Sequence, residues 1–248
     1  MPEPPEPVYD GGMVTVISLG GSIVAPEGPD APFLGDFVAA VEGLLAADPA
    51  RRFVFVVGGG GPARAWQRAF REVAAASGGN LDGRRADDEA DWIGIMATRL
   101  NAQLVRAVLA RWCPQDVVTD PSAPQSIEGR VLVAAGWKPG FSSDYDAVLL
   151  AERFGARTVV NLSNIDKVYS DDPRVNPDAR PLDAISWKDF RAMVGDEWVP
   201  GKNVPFDPIA SRHADENGIR VICAAGRDIG NLAAIVEGRA FVGTVIGG

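Results

Sequence analysis

Histidine, cysteine and lysine are all scarce in this sequence of 248 residues, which has one histidine, two cysteines and four lysines. The single histidine, His213, argues against a histidine-based metal centre and against a Ser-His-Asp triad, and we predict it to be a surface or cap residue. We therefore expect no metal-ligating side chains. Cys113 and Cys223 are far apart in sequence and lie in apolar or helical surroundings, which predicts buried reduced thiols rather than a disulfide.

Long apolar runs are also missing: none approaches the roughly 18 residues of a membrane span, and the first residues lack the order of a secretory signal. We therefore expect a cytoplasmic protein with no membrane partner. The net charge of -9 opposes non-specific nucleic-acid binding, so we expect no nucleic-acid partner. Any polyanionic ligand must then be held by local cations. Three of the four lysines, Lys138, Lys167 and Lys202, fall in Gly- or Pro-marked loops that suit ligand binding, although a general bias toward arginine would also leave lysines scattered.

Two glycine turns follow directly on apolar, β-favouring runs. Residues 52–57 lead into four glycines and a proline at 58–62, and residues 13–19 lead into Gly20, Gly21 and Ser22. Glycine lets backbone N–H groups approach a ligand, and the helix N-terminus beyond carries partial positive charge, so each turn suits a phosphate. Arg64 falls in the first turn of the second helix, where a cation is disfavoured unless an anion lies nearby. The alternative is a tight strand-to-helix turn with an ordinary surface arginine.

The order of strands, loops and helices predicts an α/β fold with a mainly parallel sheet, whose ligands lie at the carboxyl ends of the strands. Residues 1–12 are rich in proline and acid and predict a flexible tail, and residues 13–248 form a single domain. We expect a polar loop over 77–85, a short strand over 116–119 and a helix over 145–154. This predicted helix follows a loop in which Ser143 or Asp144 is either the N-cap of the helix or part of a phosphate site.

Polar residues inside a long, otherwise buried-looking helix need hydrogen-bond partners. These residues are Asp91, Thr98 and Asn101. For Asp91, the alternative is an N-cap with bonds internal to the helix.

Taken together, several short motifs resemble the amino acid kinase family over nearly the whole chain. They are Leu19-Gly20-Gly21-Ser22, Gly58-Gly59-Gly60 with Arg64, Ser143-Asp144, and Ser163-Asn164-Ile165-Asp166 with Tyr169, Asp172 and Pro173. Residues 91–102 and 138–144 further resemble the archaeal-type branch of the uridylate (UMP) kinases in that family.

The resemblance implies a three-layer α/β/α sandwich, ATP and Mg²⁺ as cofactors, and UMP as the substrate that accepts the phosphoryl group. It also implies an acceptor-binding lobe over about 13–155, an ATP-binding lobe over about 156–248, and a homo-oligomer, a hexamer built as a trimer of dimers.

Site residues follow from the same resemblance. The implied ATP-binding residues are Gly20, Gly21, Ser22, Gly60, Arg64, Ser163, Asn164, Tyr169 and Asp172. The implied UMP-binding residues are Gly59, Asp91, Trp137, Lys138, Pro139, Gly140, Phe141, Ser142 and Ser143. The implied catalytic residues are Asp144, which would organise the transfer centre, and the cations Arg64 and Lys202.

Three departures from the family pattern bear on the activity. Ser18 stands where many members have a lysine, so the missing charge would have to come from Lys202, Lys138 or Lys167. Lys167 itself replaces a glycine, and Trp137 and Phe141 stand where smaller or polar residues are common. Two alternatives therefore stay open: an enzyme with another small phosphate, carboxylate or carbamate acceptor, and a nucleotide-binding or storage protein that has lost catalysis.

Overall fold

The computed structural model describes residues 14–76, 83–197 and 204–247. Its strands are β1 (Val14–Leu19), β2 (Arg52–Val57), β3 (Val131–Ala135), β4 (Thr158–Ser163), β5 (Val168–Tyr169), β6 (Pro181–Leu182), β7 (Ala184–Ile185), β8 (Arg220–Ala225) and β9 (Thr244–Ile246). Its helices are α1 (Gly21–Val24), α2 (Ala31–Ala47), α3 (Gly60–Ala76), α4 (Gly83–Val108), α5 (Ser143–Phe154), α6 (Trp187–Val194), α7 (Pro208–Glu216) and α8 (Ile229–Val236).

Seven strands form one twisted sheet in the order β3-β2-β1-β4-β8-β9-β7, and β5 pairs with β6 in a separate two-stranded sheet. The five strands from β3 to β8 are mutually parallel, and β9 runs antiparallel to β8. The mainly parallel sheet expected from the sequence is confirmed.

Both faces of this sheet are buried under helices. Successive residues of a strand point to opposite faces, so Phe53 and Phe55 of β2 pack in one core with α2, α4 and α8, whereas Val54 and Val56 pack in a second core with α5, α6 and α7. This arrangement explains why residues 53–57 of β2 are an uninterrupted apolar run, and it confirms the three-layer α/β/α sandwich. Each fully buried phenylalanine contributes about 1.5–3 kcal/mol through the apolar area removed from water.

The strand order places a topological switch point at the carboxyl end of β1. From β1 the chain continues to β2 on one side, and β4 lies on the other, so the connections leave in opposite directions at this point. Ligands of open α/β sheets bind at such a reversal. The loops after β1, β2, β3 and β4 all open onto this edge of the sheet.

Three local expectations are wrong. Residues 116–119 do not form a strand, because only Val118 bridges to Ala134 in the stretch between Pro114 and Pro121. Residues 83–85 belong to α4 rather than to a polar loop, and residues 77–82 lie outside the described residues. Helix α5 begins at Ser143, and its N-cap is Ser142, whose side chain accepts the Tyr145 N–H at 3.2 Å.

Both cysteines are free and buried, as predicted. Burial raises the pKa of each thiol, that of Cys223 to about 12, so neither is a reactive thiolate near neutral pH. Among the helices of the described residues, none is both long enough and apolar enough to cross a bilayer. The predicted tail over 1–12 lies outside the described residues, and the division into two lobes stays a prediction.

Candidate active site

The two glycine loops pack against each other, backbone on backbone. A Cβ added to Gly21 would lie 2.0 Å from the Gly60 nitrogen and 2.6 Å from the carbonyl carbon of Gly58. Gly60 has φ +66°, and a Cβ there would lie 2.3 Å from the Ala25 oxygen. Side chains are excluded from both loops. The N–H groups of Gly20, Gly58 and Gly61 donate to backbone oxygens of the fold, whereas those of Gly21, Gly59 and Gly60 have no backbone acceptor among the described residues. These three N–H groups are bared at the carboxyl ends of β1 and β2, beside the N-terminus of α3.

Among the cations predicted to offset phosphate charge, Arg64 is free of protein partners among the described residues. It is exposed, is the fifth residue of α3, and its side chain has no hydrogen bond or ion pair with any other residue in the part that the structure describes. Lys167 already forms an ion pair, since its ammonium donates to Asp183. The Lys138 ammonium lies 3.7 Å from the centroid of the Trp137 ring, and Lys202 lies outside the described residues.

Asp144 joins three elements of the fold, β1, α5 and α7. One carboxylate oxygen accepts the Ser18 hydroxyl of β1 at 2.9 Å, and the other accepts the Asp207 N–H at the start of α7 at 3.3 Å. Burial raises the pKa of Asp144 to about 6, and the nearby Asp207 charge adds to this rise while the Ser18 hydrogen bond opposes it. Burial also raises the pKa of Asp207, whose side chain caps α7 by accepting the Ala210 N–H at 2.8 Å. The N-termini of α5 and α7 thus meet the end of β1 at one carboxylate.

Side chains of α4 hold the loop at residues 137–143, which we call the acceptor loop, and Gly136 just before it. Asp91 accepts the Gly140 N–H at 3.1 Å, Thr98 accepts the Gly136 N–H at 2.8 Å, and Arg99 donates to the Trp137 oxygen at 3.0 Å. The structure therefore brings together Asp91 and the acceptor loop, which the sequence placed in the same UMP site.

The same helix also holds the second glycine loop. The Asn101 amide donates to the Gly58 and Gly59 oxygens at 2.9 and 3.1 Å. Asp91, Thr98 and Asn101 therefore all have partners, as the sequence required, and these partners lie in the loops after β2 and β3. The polar side chains of α4 hold the candidate site in shape.

Aromatic rings fill the outer side of the acceptor loop. Trp137, Phe141 and Tyr145 follow one another with centroids 5.1 and 4.8 Å apart, and the Tyr145 ring lies 5.5 Å from that of His213. His213 lies in the last turn of α7 and bonds Glu152 at 2.8 Å. Trp137 and Phe141 thus form an aromatic pair. The same loop contains Pro139, Ser142 and Ser143, which the sequence also predicted to bind UMP.

The predicted adenosine side follows β4. Ser163 ends this strand beside the first glycine loop, because the Gly20 N–H donates to the Leu162 oxygen at 2.8 Å. Asn164 is exposed next to it. Tyr169 and Asp172 lie farther along, where their side chains bond Asp166 and Arg174, and this pairing lowers the pKa of Asp172 to about 2. The structure thus joins Ser163 to the glycine loops, while the hydrogen bonds of Tyr169 and Asp172 stay within their own segment.

The donor groups fit a magnesium ion that arrives with a nucleotide. In residues 14–76, 83–197 and 204–247, no three His, Cys, Asp or Glu side chains are grouped as metal ligands. Mg²⁺ commonly keeps several waters and binds through substrate phosphates with one or two carboxylates. The bared N–H groups of the glycine loops suit those phosphates.

Three residues of the site were not found from the sequence as site residues. Arg99 and Asp146 both hold Trp137 through its backbone, and Asp207 meets Asp144 through its N–H. The sequence identified Asp207 as a helix cap, but its contact with Asp144 joins residues 63 positions apart. No local pattern reports such contacts.

The fold and the paired glycine loops agree with the comparison of the sequence with known families. The chain belongs to the amino acid kinase family, whose profile matches residues 13–225.

Within that family, the chain is similar to uridylate kinases of archaea, which confirms the resemblance stated above. The uridylate kinase of Methanospirillum hungatei is 34% identical over 236 residues, covering 93% of both chains. That of Pyrococcus abyssi is 32% identical over 230 residues, covering 92% of this chain and 96% of the relative. The crystal structure of the Archaeoglobus fulgidus uridylate kinase superposes with a TM-score of 0.76 at 31% identity, covering 94% of this chain and 99% of that one.

Proposed function

We propose that the protein is an ATP-dependent UMP kinase of pyrimidine nucleotide synthesis that works in the cytoplasm. The observation that carries the proposal is that the loops after β1 and β2 pack together, Gly21 against Gly60, and that α4 holds the loop after β2 through Asn101 and the loop after β3 through Asp91. Two phosphate-sized backbone turns therefore lie beside a loop that resembles the UMP site of the family. The names of the archaeal relatives support UMP as the acceptor.

In this proposal the two substrates meet over the glycine loops. Gly20, Gly21, Ser22 and Gly60 hold the ATP phosphates, while Gly59, Asp91 and the acceptor loop hold UMP. An oxygen of the UMP phosphate forms a bond to the γ-phosphorus as the bond from that phosphorus to the β-phosphate oxygen breaks, giving UDP and ADP. The loose transition state asks the protein mainly for alignment and charge stabilisation.

No general base is needed for this transfer. The second pKa of a phosphomonoester is about 6, so the UMP phosphate is mostly ionised near pH 7. The task of the protein is to offset the repulsion of two polyanions. The backbone N–H groups, the helix N-termini and Arg64 do this together with the Mg²⁺ that accompanies ATP.

Asp144 fixes the position of β1 relative to the start of α7. It holds the Ser18 hydroxyl and the Asp207 N–H, which come from β1 and from the start of α7. With serine in the usual lysine position, the charge of the transferring group is met by Arg64, with Lys138 and Lys202 as further proposed contributors.

The test is an acceptor screen with MgATP and purified protein, using UMP, CMP, AMP and small carboxylate and carbamate acceptors. We expect conversion of UMP to UDP, with one ADP formed for each UDP. Turnover of another acceptor without UMP turnover would reject the proposal. ATP binding by calorimetry with no transfer to any acceptor, restored by Ser18→Lys, would instead indicate a protein that has lost catalysis.

We also propose that α4 pairs with a second copy of the chain, as the first contact of a hexamer. Trp92, Met96 and Leu100 recur every four residues and so form one stripe on α4, with Leu100 72% exposed. Large exposed apolar stripes mark protein contacts. Light scattering should show an oligomer for the wild type and a smaller species for Leu100→Glu, and a monomeric wild type would contradict the pairing.

A further inference from the structure

Asp146 is a buried carboxyl group that the reaction described above does not use. It lies in the first turn of α5, is 0% exposed, and is flanked by Ala147 and Val148 in the apolar core below β1 and β2. One of its oxygens accepts the Trp137 N–H at 3.1 Å, and the other has no hydrogen-bond partner among the described residues. Burying a carboxyl group with one oxygen unsatisfied costs stability, and an apolar side chain would avoid that cost.

The one bond that Asp146 makes goes to the residue that opens the acceptor loop. The Trp137 N–H is held by Asp146 from α5, and the oxygen of the same residue is held by Arg99 from α4 at 3.0 Å. Trp137 is thus held at both backbone polar groups by ionisable side chains of two different helices. This fixes the direction in which the Trp137 ring leaves the backbone.

The ring held in this way is the first of the aromatic pair of the acceptor loop. Its centroid lies 5.1 Å from that of Phe141 and 3.7 Å from the Lys138 ammonium. A shift of the Trp137 backbone would move both the aromatic surface and the adjacent cation. Such groups suit the base and the phosphate of a nucleoside monophosphate, because rings stack on bases and ammonium groups attract phosphate.

We propose that Asp146 is a positioning residue for acceptor binding, which fixes the Trp137 backbone so that Trp137, Lys138 and Phe141 are set in place before the nucleoside monophosphate arrives. This inference rests on the proposed function. It accounts for an ionisable group kept in an apolar core at a cost in stability, since stability is commonly lost where a site must be preorganised. Burial raises the pKa of Asp146 to about 7, which is a measure of that cost.

Two substitutions separate positioning from a merely structural role. Asp146→Asn keeps an oxygen that can accept the Trp137 N–H, whereas Asp146→Val is apolar and keeps no acceptor. For Asp146→Val we expect the KM for UMP to rise roughly 10-fold, with the KM for ATP and kcat within about twofold of wild type, since one hydrogen bond that orders the loop is lost. For Asp146→Asn we expect the KM for UMP to stay within about threefold of wild type.

Thermal melting distinguishes lost binding from lost stability, because the variants are expected to bind UMP less well or equally well without melting at a lower temperature. Both variants should melt at or above the wild-type temperature at pH 8, because each removes a buried charge. Asp36→Asn, which removes an exposed carboxylate on α2, is the matched control and should change neither the KM for UMP nor the melting temperature.

The inference is overturned if folded Asp146→Val retains the wild-type KM for UMP, or if Asp146→Asn is impaired as strongly as Asp146→Val. It is also overturned if the KM for ATP changes as much as that for UMP. Failure of the proposed function is distinguishable, because it would appear in the wild type as absence of UMP turnover before any variant is compared.

Discussion

Ser18 shows how one residue changes the chemistry around it. In many relatives of the family a lysine occupies this position, and here a hydroxyl that is 2% exposed donates to Asp144. No cation neutralises Asp144 within the described contacts, so burial and the neighbouring Asp207 raise its pKa to about 6. A carboxylate in this state acts through the groups it holds in place, Ser18 and the N–H of Asp207.

Removing that carboxylate should therefore impair alignment more than binding. We expect Asp144→Ala to lower kcat by about 100-fold, because misplacement of reacting groups by about 1 Å has an effect of this size. The KM values for ATP and UMP should change much less. Steady-state kinetics at saturating MgATP checks this, and a kcat within threefold of wild type would contradict the role of Asp144.

The raised pKa of Asp146 also predicts how stability depends on pH. The folded chain binds this proton more tightly than the unfolded chain, whose carboxyl has a pKa near 3.8, against about 7 in the fold. The contribution of this group to stability is therefore complete below pH 3.8 and is lost as the pH rises through about 7. The difference in melting temperature, Asp146→Asn minus wild type, should increase from pH 5 to pH 8. A difference that stays constant across this range would show that Asp146 does not titrate there.

At the scale of elements, α4 is the helix on which the site depends. Its side chains reach the loop after β2 through Asn101 and the loop after β3 through Asp91, Thr98 and Arg99. Its outward face carries the apolar stripe proposed to meet a second copy of the chain. Helix α2, in contrast, packs against the core and carries two glycines with open space around them, Gly35 and Gly43.

Glycine in a helix costs roughly 1 kcal/mol relative to alanine, and nothing lies within 4 Å of a Cβ added at Gly43. We therefore expect Gly43→Ala to raise the free energy of unfolding by about 0.5–1 kcal/mol. Activity should be unchanged. Urea denaturation followed by circular dichroism measures the effect, and a lowered midpoint would show that this position tolerates no side chain.

In the whole molecule, the glycine loops join the parts of the site contributed by β1 and β2. Gly21 and Gly60 make this possible, because each lies against the backbone of the other loop with no room for a side chain. The predicted division into acceptor and ATP lobes falls across the same sheet, so the two substrates of the proposed reaction would meet over these loops.

Gly21→Ala should accordingly disrupt the site. Its Cβ would lie 2.0 Å from the Gly60 nitrogen, so one loop must move away from the other. We expect kcat/KM for UMP phosphorylation to fall by at least about 100-fold, because the reacting groups would be misplaced. The melting temperature should also be lower. Gly43→Ala serves as the matched control, since it adds the same methyl group in open space. Wild-type activity in Gly21→Ala would contradict the close approach of the two loops.

The sequence by itself determined the α/β class, the glycine turns and the need of Asp91, Thr98 and Asn101 for partners, because these follow from periodicity, backbone freedom and the cost of unpaired polar groups. It also carried the family resemblance. Only the tertiary structure decided which group each polar residue meets: Asn101 on the Gly58 and Gly59 oxygens, Ser18 on Asp144, Asp146 on Trp137. These contacts join residues far apart in the chain, and they form only when the strands lie side by side and bring their carboxyl ends to one edge of the sheet.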